Sequence, residues 1–138
     1  MTIGAHPGEV AGVSAAFGVF ADAHAVPAEI RRSVSIVLDE LLANTILHGF
    51  RGRVGGGGEV TVDAELLPDR LSVTVTDDGR PFDPFALDAP DTMLATAERP
   101  IGGLGVHLVR HMMDDVRYER RGDRNVIVME KRLNKARQ

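Results

Sequence analysis

The chain has 138 residues, of which 43% are apolar, and carries a formal net charge of -4. That composition supports one globular domain over 1–138, and the acidic balance gives no electrostatic ground for nucleic acid or an anionic membrane as a partner. With no cysteine, disulfides, thiolate catalysis and zinc-thiolate sites are excluded, and an aromatic content of 4% without tryptophan argues against stacking platforms for bases or sugars.

After a short strand-like stretch at Thr2-Ile3, the segment Glu9 to His24 spaces Val10, Val13, Phe17, Val19 and Phe20 approximately along one helical face. Val26-Pro27-Ala28-Glu29 resets the chain, since proline favours a first helical turn, and a second helical pattern runs from Ala28 to His48 and ends at Gly49. Gly52 and Gly55 to Gly58 predict a flexible connection. Val60, Val62, Ala64 and Leu66, then Leu71, Val73 and Val75, alternate as an antiparallel hairpin joined by Pro68-Asp69. From about 80 to 101, Pro81, Pro84, Pro90 and Pro100 interrupt regular structure, and a loop of that length suggests a lid.

Helical pattern resumes over Leu104 to Met113, followed by a strand at Val116 to Glu119, a turn at Gly122-Asp123 and a strand from Val126 to Leu133. The basic residues from Lys131 to Arg137 read as a solvated end. This order predicts an α+β fold: a two-layer α/β sandwich with helices on one face of a mixed, mainly antiparallel sheet. No apolar run approaches the roughly 20 residues of a membrane span, and the start lacks the basic flank and apolar core of a signal peptide, so a cytoplasmic protein is expected.

Three polar segments stand out from this pattern. On the second helix Glu40, Asn44 and His48 recur every four residues and share a stripe beside Val37, Leu38 and Leu41. Asn is a poor helix former, so its place between Leu42 and Ile46 asks for a role, although a solvated face would also account for the stripe. Asp77-Asp78-Gly79 follows a strand. It fits an ordinary turn, or a carboxylate that accepts a hydrogen bond from an exocyclic amine while Gly79 lets a ring approach the backbone. Gly102-Gly103-Leu104-Gly105 opens a helix, which fits either a flexible entry or an anion site of unpaired N–H groups at the positive end of the helix dipole.

The phosphate-loop and dinucleotide signatures are absent, because the run Gly55 to Gly58 lacks a following Lys-Ser/Thr and no G-x-G-x-x-G follows a strand. His107 and His111 have helical metal-ligand spacing without the His-Glu-x-x-His pattern, and read as a solvated or core-edge pair.

In this order the three segments resemble the GHKL ATPase superfamily, the Bergerat-fold group that includes DNA gyrase and sensor histidine kinases. Asp39 to Gly49 is similar to the N-box, Asp77 to Pro84 to the first glycine box and Gly103-Leu104-Gly105 to the second. The short chain and the continuation Pro81-Phe82-Asp83-Pro84 most resemble the bacterial anti-sigma-factor serine/threonine kinases. The resemblance implies ATP and Mg²⁺ as cofactors, with Asn44 as metal ligand, Glu40 as general base, Asp77 and Gly79 at the adenine, and Gly103, Leu104, Gly105 and Arg99 at the phosphates. It further implies a sigma factor and an anti-sigma antagonist protein as partners, with a homodimer as an accessible assembly. The wider superfamily pattern has glycine where Pro81 stands, and a fuller opening strand than this chain shows. Two other functions fit the same residues: an ATP-responsive protein-binding module without catalysis, and a detached histidine-kinase catalytic domain.

Overall fold

The computed structural model describes residues 1–4, 7–49, 58–81, 83 and 109–133. β1 (Thr2–Gly4) leads through a 3-10 turn, Pro7–Glu9, into α1 (Val10–Ala23) and α2 (Ala28–Gly49). The strands β2 (Glu59–Leu66), β3 (Arg70–Asp77), β4 (Asp115–Arg121) and β5 (Arg124–Arg132) follow, with a helical turn at residues 109–112 before β4. They form one five-stranded sheet in the order β1-β2-β3-β5-β4. Every described pairing is antiparallel, so the mixed character expected of the sheet does not show among these strands.

The helices form where the apolar spacing says they should. Val13, Phe17 and Ala21 of α1 are buried, as are Ile30, Val34, Val37, Leu38, Leu41, Leu42 and Ile46 of α2, each series lying on one helical face, whereas Val19, expected on the apolar face of α1, is 69% exposed. They share one core with the inward residues of the sheet: Val60 and Val62 from β2, Leu71, Val73 and Val75 from β3, and Ile127 and Met129 from β5. Each large side chain withdrawn from water there stabilises the fold by about 1.5–3 kcal/mol, which is what holds a helix layer on a sheet.

Two turns set the register. The β2–β3 connection at Pro68-Asp69 is closed by the Leu67 N–H donating to the Arg70 carbonyl at 2.8 Å, placing Leu66 opposite Leu71. The β4–β5 hairpin turns through Gly122-Asp123 with Gly122 at φ 59°, a left-handed value that glycine adopts freely. Because Arg121 then faces Arg124, Asn125 is carried to the position opposite Arg120 on one side and Asp77 on the other. The opening strand, barely visible in the sequence, is real: Thr2, Ile3 and Gly4 pair with Thr61, Val60 and Glu59.

Candidate functional site

Asp77 ends the inward series Leu71, Val73, Val75 on β3, so strand alternation aims its carboxylate toward the helix layer. It is 2% exposed. One oxygen, Oδ1, accepts the Gly79 backbone N–H at 2.9 Å and the Asn125 side-chain amide, Nδ2, at 2.9 Å. Among the described residues nothing donates to Oδ2. Burial pushes the Asp77 carboxyl above its ordinary value, against the downward pull of Asn125, Gly79 and the Arg120 charge, while the neighbouring Asp78 adds to the upward push. The second oxygen of that buried carboxylate can accept a hydrogen bond that no described residue supplies.

The segment after Asp77 is held from β4 and β5. Asn125 Nδ2 also donates to the Arg80 carbonyl at 2.8 Å, and Arg120 Nη1 donates to the Gly79 carbonyl at 2.8 Å. The Tyr118 hydroxyl donates to Asn125 Oδ1 at 2.5 Å. Asp78 turns the other way, accepting the Glu59 N–H at 2.9 Å and closing the start of β2. The paired carboxylates of the Asp-Asp-Gly segment are therefore divided: Asp77 faces the interior and Asp78 braces the sheet.

On α2, Asn44 is 4% exposed and Thr45 beside it is also buried, whereas Glu40, one turn earlier, is half-buried. A simple water-facing stripe does not describe this arrangement, because the amide of Asn44 has left solvent at the flank of Leu41 and Leu42. The side chain of His48 lies outside the described residues, as do Arg99, Gly103, Leu104, Gly105, His107 and the expected lid, apart from Arg80, Pro81 and Asp83. His111 is described and exposed.

Four polar residues are buried among those described: Asn44 and Thr45 on α2, and Asp77 and Asn125 on adjacent strands. Sequence reading finds the first helix member and the first strand member. It misses Asn125, Tyr118 and Arg120, since these approach Asp77 only through the β3–β5 and β4–β5 pairings. The one local signal is a lone Asn between the Gly122-Asp123 turn and the apolar run Val126 to Met129, and it reads as turn composition.

No group of three or more His, Cys, Asp or Glu side chains that could by itself hold a metal occurs among the described residues. A neutral amide such as that of Asn44 suits a hard cation that takes its other ligands from water and phosphate. No helix among the described residues is long and apolar enough to cross a membrane.

Known proteins share this frame. A model of the histidine kinase-like ATPase domain matches residues 3–131. The serine-protein kinase RsbW of Listeria innocua serovar 6a is 32% identical over 98 residues, covering 64% of this chain and 58% of the relative. The serine-protein kinase RsbW of Bacillus pumilus is 32% identical over 109 residues, covering 75% of this chain and 66% of the relative. The match to the Listeria protein thus spans under two thirds of that relative's length. Among solved structures, the histidine kinase domain of the Erythrobacter litoralis EL346 blue-light activated kinase aligns with a TM-score of 0.56 at 20% identity, covering 95% of this chain and 62% of that one. The catalytic domain of histidine kinase ThkA aligns with a TM-score of 0.55 at 15% identity, covering 96% of each chain, and both likenesses speak for the fold alone. With a family model matched along nearly its whole length and the same α+β sandwich, the chain belongs to the histidine kinase-like ATPase family, the GHKL group.

Proposed function

We propose that this chain is an ATP-dependent protein serine/threonine kinase of the anti-sigma-factor type, which holds a sigma factor and phosphorylates an antagonist protein on a Ser or Thr hydroxyl. The observation that carries the reading is the buried Asp77 carboxylate with one oxygen pinned by two donors and the other without a donor among the described residues, in a chain whose relatives are named serine-protein kinases. Asp77 accepts a hydrogen bond from the adenine amino group, and Gly79 leaves room for the ring. Asn44 offers its amide oxygen to Mg²⁺, which when bound neutralises charge on the phosphates. Glu40, one helical turn before Asn44, receives the proton of the attacking hydroxyl as general base. Gly103, Leu104 and Gly105 present backbone donors to the phosphates, and Arg99 adds positive charge there. Residues 1–138 work as one ATP-binding domain with its lid at about 80–101.

Calorimetry with Mg-ATP tests the pocket. Binding is expected at sub-millimolar concentration, and Asn44→Ala should weaken it about tenfold and remove its Mg²⁺ dependence. Absence of binding at millimolar ATP, or an unchanged Mg²⁺ dependence in the variant, would sink the assignment. Glu40→Gln should lower phosphoryl transfer by about 10²-fold or more while sparing ATP binding. An acid-stable phosphoprotein product separates a serine/threonine kinase from a histidine kinase, and no product at all with ATP binding intact leaves a binding module.

A further inference from the structure

We propose that Asn125 is a positioning residue that makes the site select a 6-aminopurine over a 6-oxopurine nucleotide, by clamping one oxygen of Asp77 so that the other is presented to the ligand purely as an acceptor. The inference rests on the nucleotide reading given above and adds the residue that sets its base preference.

The geometry fixes the orientation of the Asn125 amide. Its nitrogen lies 2.9 Å from Asp77 Oδ1 and 2.8 Å from the Arg80 carbonyl, and both of those oxygens are acceptors, so the nitrogen side of the amide must face them. The remaining oxygen takes the Tyr118 hydroxyl proton. Every hydrogen-bonding atom of the Asn125 side chain is thereby committed, and at 2% exposure water does not compete for them. The register makes the clamp rigid, since Asn125 is the direct cross-strand partner of Asp77 and both lie on the helix side of the sheet.

An acceptor at this position attracts an exocyclic amino group and repels a carbonyl oxygen at the same ring position. The discrimination lasts only while Asp77 stays an acceptor. Burial works against its ionised form, and a protonated carboxyl, or one free to rotate about its Cβ–Cγ bond, meets a 6-oxo group as readily as a 6-amino group. Asn125 and the Gly79 N–H hold the carboxylate in the discriminating state, and Asn125 is the side chain of the two.

The test is calorimetric titration of the 138-residue chain with Mg-ATP and Mg-ITP, which differ at the 6-position. The unaltered chain is expected to favour ATP by about tenfold or more, the size of one hydrogen bond to a charged group. Asn125→Leu, with the same branched heavy-atom skeleton and no donors, is expected to weaken ATP about tenfold and ITP by less than about threefold, bringing their ratio near one. A parallel loss for both nucleotides shows a packing role only and overturns the inference, as does an unchanged ratio. Should Asn125→Leu not fold, as judged by circular dichroism, the smaller Asn125→Ala removes the donor without added bulk and must collapse the ratio in the same way. Retention of the original ratio by that variant overturns the inference too. If the unaltered chain binds ATP and ITP equally, the selectivity fails while the nucleotide site stands, and if it binds neither, the site reading itself fails.

Discussion

Burial sets the ionised form of Asp77 against the stability of the fold. Its carboxyl is held above the ordinary range chiefly by burial, so the folded chain binds that proton more tightly than the unfolded chain does. The contribution of a group shifted this way is fully present below the unfolded pKa and is lost as the pH rises through the folded one. At neutral pH the ionised group therefore opposes folding. Asp77→Asn keeps the shape and an acceptor oxygen for Gly79 and Asn125 while removing the charge. Its ligand-free Tm should exceed that of the parent at about pH 8, with the gap narrowing toward about pH 4, and ATP binding should be lost. Calorimetric scans across that pH window check it, and a variant less stable than the parent at about pH 8 would show that Asp77 supports the fold instead. Asp77 itself was legible, because an alternating strand running into Asp-Asp-Gly places a carboxylate at a strand end. Its clamp was not legible: Asn125 lies 48 residues further on, and only the strand pairing brings the two together. A cross-strand hydrogen bond leaves no mark on local composition.

Among the elements, the link between the helices shows what a residue pattern conveys and what it hides. Val26-Pro27 announced a break, and α1 does end at Ala23 with α2 starting at Ala28. The cap itself went unseen because its residue is the wrong type. The Val26 N–H reaches back to the Ala21 carbonyl at 3.0 Å and the Ala25 N–H to the Asp22 carbonyl at 3.3 Å, the paired bonds of a Schellman cap, with Ala25 at φ 53°. That left-handed conformation ordinarily takes glycine. The Cβ of alanine costs about 1–2 kcal/mol there, partly offset by the stiffer unfolded chain that alanine gives. Ala25→Gly is thus expected to stabilise the protein by about 0.5–1 kcal/mol, read from urea denaturation, and a loss of stability would mean that the cap is not strained. The polar stripe on α2 was legible as a stripe. That Asn44 is buried while Glu40 stays half-exposed follows from how the helix is rolled on the sheet, which periodicity leaves undetermined by a residue or so.

At the scale of the whole molecule, the alternating runs and helical periods were enough for a helix layer on a sheet, because each element's apolar face has only one place to be buried. The strand order was beyond reach. Local pattern pairs β2 with β3 and β4 with β5, but it does not say that β5 inserts beside β3 and leaves β4 at the edge. That insertion completes the site, since the residues holding the Asp77 segment arrive with the last hairpin.

The place of β3 between β2 and β5 has a kinetic consequence. Its backbone is paired on both sides along most of its length, from Leu71 to Asp77, while β1 and β4 each have one described neighbour. Amide protons of residues 71–77 and 125–131 should exchange with solvent only through global opening, orders of magnitude more slowly than those of β1 and the outer side of β4. Deuterium uptake followed by mass spectrometry would show this as a protected central pair, and rapid uptake in β3 would contradict it. The carboxylate handle would then sit at the end of the last-opening part of the molecule, already ordered before any nucleotide arrives. Nucleotide should slow exchange elsewhere in the chain and leave that central pair nearly as it was.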